Sequence, residues 1–428
     1  MNMMVSRRAM LGGLALAGGF AASARPALAL VDSGPAFPAT RAFVSGFVER
    51  KQLAGAIATI GRGTAAPHII AAGSTALGGP VAVDQDSLWR VYSMTKPVTG
   101  IAAMLLVDRG KLRLDQPIAD LLPAFAKMQV QVTPDGSLTD LRPAKTAITL
   151  RHLLTHTAGL GYSIVQKGPL LAAYRANGIL PGKVTRLPLP GIDNSPAAPS
   201  LAEFADRLAK LPLVYEPGTR WSYSVSLDLL GRVIEVASGK AFDAFLADEL
   251  FGPLGMMSSW FQVPASEVGR LTTNYAPFGG ALVPIDPAAS SIYLDKPEFP
   301  FGGAGLVSSA RDFDRFLMML AGKGAIGSTR LMSEATAMLA MSDLFPAGVD
   351  TTGTFIAGHG FGAGGRVSLP GSPGGPGTFG WGGAAGTLAF VNPLNGLRGG
   401  GYAQYMPPES LEFQSKLGET ILKDIASA

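Results

Sequence analysis

Ser93-Met94-Thr95-Lys96 sets a hydroxyl and an amine three residues apart at the start of a segment with helical apolar spacing. Residues three apart share one face of a helix, so the lysine amine can reach the serine oxygen and take up its proton. The chemistry this suggests is attack on an acyl carbon, that of a serine hydrolase. Val98, Ile101, Ala102, Leu105 and Leu106 continue the stripe and predict a buried helix ending near Gly110. At the N-terminus of that helix, Ser93 would meet unpaired backbone N–H groups and the positive end of the helix dipole. Both favour the negative charge that builds up on an attacked carbonyl. Pro97 falls in the first turn, where a missing N–H costs little.

Competing chemistries find less support. The chain contains no G-x-S-x-G, so a nucleophile elbow is not indicated, and it has no cysteine to serve as nucleophile or thiolate ligand. Its histidines are His68, His152, His156 and His359, without the H-E-x-x-H spacing of a zinc site. His152 and His156, four apart, could share a helix face, but no carboxylate stands beside them to complete a metal site. They are expected to make structural hydrogen bonds near the site floor, with no metal and no cofactor. Asp115 and Asp120 are expected to cap local helical turns.

The elements that must carry Ser93 can be outlined from periodicity and turn residues. Residues 38–52 predict an amphipathic helix, and runs 54–60 and 67–73 predict a strand hairpin. Between about 111 and 300 the pattern is helix and loop, with helices ending before Gly239 and spanning about 241–251. The Gly- and Pro-rich segment 163–200 reads as a long irregular insertion of the kind that borders binding sites. Ser309-Ala310-Arg311-Asp312 has the form of a capping box before another apolar stripe. Strand-like runs 388–392 and 400–405 flank an Asn395-Gly396 turn, and a closing helix covers about 409–426. Strands at both ends with helices between predict an α/β (α+β) fold in which one antiparallel sheet is built from both termini and covered by helices. The expected division is a sheet domain of residues 30–110 and 300–428, with a mainly helical domain of 111–299 inserted.

The N-terminus carries Arg7-Arg8, an apolar stretch through Ala24, and Ala27-Leu28-Ala29, which together read as a twin-arginine export signal cleaved near Ala29. Its apolar core is shorter than the ~20 residues a membrane span needs. The expected location is periplasmic or secreted, with the twin-arginine machinery as a transient partner and no stable membrane anchor. The chain has 35 basic and 31 acidic residues, a formal charge of +4. Loss of Arg7, Arg8 and Arg25 with the signal leaves 32 against 31. So even a balance argues against nucleic acid or an anionic membrane surface as a partner.

Five sequence elements, in this order, resemble the serine β-lactamase and penicillin-binding DD-peptidase superfamily, and most closely the family VIII carboxylesterases with their class C β-lactamase-like fold. They are Ser93-Met94-Thr95-Lys96, the run Leu150 to Leu160, Tyr223-Ser224-Val225, Gly302-Gly303-Ala304-Gly305-Leu306, and Trp381-Gly382-Gly383. The resemblance implies Ser93 as nucleophile, Lys96 and Tyr223 as the groups that move its proton, and the backbone N–H groups of Ser93 and Ala384 as oxyanion hole. Glycine at 382 and 383 would let the strand approach a substrate closely.

Where β-lactamases and DD-peptidases carry Lys-Thr-Gly, this chain has Trp381-Gly382-Gly383. The cation that would pair with a substrate carboxylate is replaced by an aromatic face, which favours neutral or apolar esters. Val225 stands where β-lactamases hold the substrate amide with asparagine, and Val225, Trp381, Gly382 and Gly383 are therefore expected to contact substrate. The resemblance thus implies a serine carboxylesterase acting on small carboxylic esters through a covalent acyl-enzyme. A β-lactamase or DD-peptidase, and an inactive relative that binds cell-wall fragments or a protein partner, remain the alternatives. Residues 163–200 and 342–378 are expected to shape the pocket.

Overall fold

The architecture was obtained as a computed structural model, which describes residues 36–189, 193–372 and 375–427. The export signal expected in residues 1–29 lies outside the described residues. Among those described, no helix is long and apolar enough to cross a membrane.

The main sheet has seven strands: β1 (Gly55–Arg62), β2 (His68–Gly73), β3 (Gly360–Phe361), β4 (Arg366–Val367), β5 (Phe379–Gly383), β6 (Thr387–Val391) and β7 (Leu397–Tyr402). Their spatial order is β3-β4-β5-β6-β7-β1-β2 and each neighbouring pair is antiparallel. The β7–β1 pairing, with Ile57 opposite Tyr402, joins the two ends of the chain into one sheet. Alternation along β1 then sorts side chains by face. Ala56, Ala58 and Ile60 pack with Phe413, Leu417 and Ile421, on the side of α1 (Pro38–Glu49) and the C-terminal helix Phe413–Ala426. Ile57 and Tyr402 join the large core on the other face.

That larger core surrounds α2 (Thr95–Asp108), the buried helix that the apolar stripe predicts, and its burial extends beyond the stripe. The stripe predicted one buried face, yet every residue from Thr95 to Leu106 is buried. The helix is sandwiched between the sheet and the helix Ser226–Ser238, so there is no solvent side for polar residues to mark. The segment 163–200 is less irregular than expected: Gly168–Ala176 is helical, anchored by buried Leu170 and by Tyr174, whose hydroxyl accepts from the Gly161 N–H at 2.9 Å. The helix expected over 241–251 is α-helical only across Phe242–Leu246 and widens into a π turn over Ala247–Phe251.

Several local assignments also change. Ser309 caps the helix Ala310–Ala321 by accepting from the Asp312 N–H. Asp312 completes no box, because its carboxylate accepts from the Ser258 N–H and the Ser259 hydroxyl instead. Asp115 is not a cap but half of a bidentate pair with Arg151, at 2.6 and 2.9 Å. Asp120 lies within the 3-10 turn Ile118–Asp120, whose N-terminus has no side-chain cap among the described residues.

Candidate active site

Ser93 sits in a 3-10 turn, Tyr92–Met94, that feeds directly into α2. Tyr92 has φ 43°, a left-handed conformation costly for an aromatic residue. It is held there by burial, by the Asn274 side-chain N–H that donates to its hydroxyl at 3.3 Å, and by edge contact with Tyr293. The turn leaves the Ser93 side chain half-exposed while its neighbours Tyr92 and Met94 are buried.

Two side chains reach the Ser93 oxygen, and a third supports one of them. Lys96, one helical turn on, is 0 % exposed and places Nζ 3.2 Å from Oγ. Tyr223, from the stretch before the Ser226–Ser238 helix, brings its hydroxyl to 2.9 Å of the same oxygen across 130 residues of sequence. The Trp381 indole N–H, on β5, donates to that hydroxyl at 3.3 Å. A donor into the phenol oxygen leaves the phenol's own proton directed at Ser93. Lys96 Nζ also donates to the Gly303 carbonyl at 2.7 Å and lies 4.5 Å from the Tyr223 ring centre.

The strand bearing Trp381 reaches the serine turn because Gly383 has no side chain. A Cβ there would collide with the Val91 carbonyl oxygen. Ala384 follows immediately and packs in the same cluster as Tyr92. Gly382 is half-exposed beside Trp381. Val225 departs from its expected position, since it is fully buried in the main core and its N–H donates to the Gly161 carbonyl. It therefore presents no surface to a substrate.

The sequence reading missed Asp228, which is buried two residues into its helix. Its Oδ1 accepts from the Gly303 N–H at 2.8 Å, and Gly303 in turn offers its carbonyl to Lys96. A Cβ on Gly303 would meet Asp228 Oδ2 at 2.6 Å, so only glycine fits between them. That Oδ2 has no hydrogen-bond partner among the described residues. Burial pushes the Asp228 carboxyl up to about 6, the nearby Lys96 charge partly opposing it.

Tyr162, also buried, packs edge-on to Tyr223 at 5.4 Å, and burial with the neighbouring Asp228 and Tyr223 charges raises its phenol well above the ordinary range. An acid in the first turn of a helix is a common cap signal, and nothing local marked this one as buried.

A stability test follows from Asp228. A carboxyl whose folded-state value exceeds its unfolded one stabilises the protein fully below pH about 4. That contribution, about 3 kcal/mol for a shift to about 6, is lost as pH rises to 6. Denaturant midpoints of Asp228→Asn should lack this fall between pH 4 and 6. A slope identical to that of the unaltered protein would show that the group does not titrate there.

His152 and His156 have structural surroundings. His152 Nδ1 accepts from the Thr149 N–H in a reciprocal cap, and burial lowers its pKa to about 4. His156 Nδ1 pairs with Ser224 at 2.9 Å, and burial, with the Lys96 charge, holds the ring neutral. No cluster of potential metal ligands occurs among the described residues. His156, Trp221, Tyr223, Phe361 and Trp381 form an aromatic wall, and Phe355 extends it outward at 66 % exposure, 6.0 Å from Tyr223 and 5.8 Å from Trp381.

A hydroxyl flanked by a buried lysine and a tyrosine is an arrangement in which a serine oxygen can pass its proton to a neighbour and attack an acyl carbon. The chain belongs to the Beta-lactamase family, whose model matches residues 40–417. Its relatives include Esterase EstB of Burkholderia gladioli, 31 % identical over 369 residues, which covers 82 % of this chain and 86 % of EstB. Lovastatin esterase of Penicillium rubens is 30 % identical over 368 residues, 79 % of this chain and 85 % of that protein. Among solved structures, EstCE1, described as a hydrolase with promiscuous acyltransferase activity, shares the fold with a TM-score of 0.72 at 24 % identity, over 91 % of this chain and 97 % of its own. The fold is β-lactamase-like, and the esterases among the relatives support a hydrolase.

Proposed function

We propose that the protein is a serine carboxylesterase that cleaves small neutral esters through a covalent acyl-enzyme. The observation that carries this reading is the Ser93 oxygen within hydrogen-bond reach of both Lys96 Nζ and the Tyr223 hydroxyl. Ser93 attacks the ester carbonyl while its proton passes into the Lys96–Tyr223 pair. The oxyanion is received by the N–H groups of Ser93 and Ala384. Tyr223 returns the proton to the leaving alcohol, and the same tyrosine then activates the water that releases the acid. Gly303, fixed by Asp228, holds the lysine amine against the serine.

Trp381 favours esters over β-lactams or peptide C-termini, because the position that would pair with a substrate carboxylate offers an indole N–H already engaged with Tyr223. A fluorophosphonate should label Ser93, as mapped by peptide mass spectrometry. The kcat/KM for p-nitrophenyl butyrate should exceed that for nitrocefin by at least 100-fold, roughly the ~3 kcal/mol at stake when a charged partner is missing. Preference for nitrocefin would favour the β-lactamase alternative, and absence of any Ser93 adduct would favour the binding-only one.

A further inference from the structure

The turn between β5 and β6 carries Ala384, and the C-terminal part of the chain grips it from outside. Gln414, the second residue of the helix Phe413–Ala426, donates its side-chain amide to the Gly383 carbonyl at 2.7 Å and to the Thr387 carbonyl at 2.6 Å, one on each side of the turn. The Tyr405 N–H donates to the Ala385 carbonyl at 3.2 Å, and the Tyr405 ring lies where a side chain on Gly386 would have to go. Tyr405 also joins the two grips, since its hydroxyl accepts from the Gln414 N–H at 3.3 Å.

The glycines of β5 show which side each neighbour takes. A Cβ on Gly382 would meet Gln414 Nε2 at 2.9 Å, whereas one on Gly383 would strike the carbonyl oxygen of Val91, two residues before Ser93. Successive residues of a strand face opposite ways, so the amide and the serine turn lie on opposite sides of β5. The Gly383 C=O and the Ala384 N–H belong to one planar trans peptide and point in opposite directions. An amide that draws the carbonyl to its own side therefore turns the N–H to the side of Ser93. We infer that Gln414 is the positioning residue of the oxyanion hole: through Gly383 it aims the Ala384 N–H at the oxygen of the attacked carbonyl. This rests on the esterase reading and adds a residue that acts on the reaction only through the backbone. It also accounts for glycine at 382, which leaves room for the amide.

The test compares kcat/KM for p-nitrophenyl butyrate with that for its thiono analogue, in which sulfur replaces the carbonyl oxygen. Sulfur accepts hydrogen bonds weakly, so an aimed N–H favours the oxygen ester and a misaimed one does not. Gln414→Met keeps the length of the side chain and removes the donor. It should lower kcat/KM for the oxygen ester at least about 10-fold, part of the ~10²–10³-fold lost when an oxyanion donor is removed outright, and for the thiono ester less than about 3-fold. Gly382→Ala should give the same signature, because its Cβ displaces the flexible end of the glutamine and not the strand. A damaged fold would slow both esters alike. Equal losses, or an oxygen-to-sulfur ratio unchanged in both variants, overturn the assignment of Gln414 and leave the esterase reading intact. If the unaltered protein hydrolyses no ester, the esterase reading falls and Gln414 has no oxyanion to serve.

Discussion

Ser93→Ala should lower kcat for p-nitrophenyl butyrate by ~10⁴-fold or more while leaving the circular dichroism spectrum and the unfolding midpoint nearly unchanged. On the proposed mechanism the loss is large because Ser93 supplies the oxygen that forms the acyl-enzyme, and every proton that Lys96 and Tyr223 move serves the making or breaking of that bond. The fold should survive because the serine is half-exposed and its partners have others. Lys96 Nζ keeps the Gly303 carbonyl, and the Tyr223 hydroxyl keeps the Trp381 indole. Retention of activity within 10-fold of the unaltered protein would sink the proposal, whatever became of the neighbouring groups.

Arg398→Met should destabilise the protein by about 3–5 kcal/mol, read from the urea midpoint. Arg398 lies on β7 with its side chain 0 % exposed, and it clasps Asp314 of the helix Ala310–Ala321 through contacts of 2.9 and 3.1 Å. It also donates to the carbonyls of Gly63 and Ala65 beyond β1, so one guanidinium ties a helix, a strand and a hairpin together. Removing it strands a buried carboxylate. Burial already pushes the Asp314 carboxyl upward against the pull of Arg398. The penalty should therefore shrink as pH falls and the unpaired acid takes a proton. The double variant Arg398→Met with Asp314→Leu should recover most of the loss, because the cost arises from one uncompensated charge and not from the absence of the pair. A single-variant loss below about 1 kcal/mol would mean that water reaches this pair in solution.

The features legible in the sequence are those encoded within a few residues. Ser93 and Lys96 meet because they are one helical turn apart, and α1, the β1–β2 hairpin and the strands around Asn395-Gly396 announce themselves by local period and turn chemistry. Tyr223, Trp381 and the Gly303 motif were picked out by resemblance, since nothing in their own surroundings says which other segment they touch. The structure brings Tyr223 to Ser93 and Gly303 to Lys96 across 130 and 207 residues of chain, and Trp381 to Tyr223 across 158.

Tertiary packing alone decided the rest. Lys96 reads as one position on an amphipathic helix, but α2 is enclosed on all sides and its amine is wholly buried. Asp228 reads as an ordinary first-turn acid, and only the approach of Gly303 makes it the clamp on the lysine's acceptor. Asp115 reads as a cap until Arg151 arrives to claim it. Val225 reads as a substrate contact until the helix it precedes turns it into the core. Periodicity fixes where a side chain points relative to its own element. Which charges are stripped of water, and which walls enclose a substrate, depends on the elements packed against it, and those are supplied by distant parts of the chain.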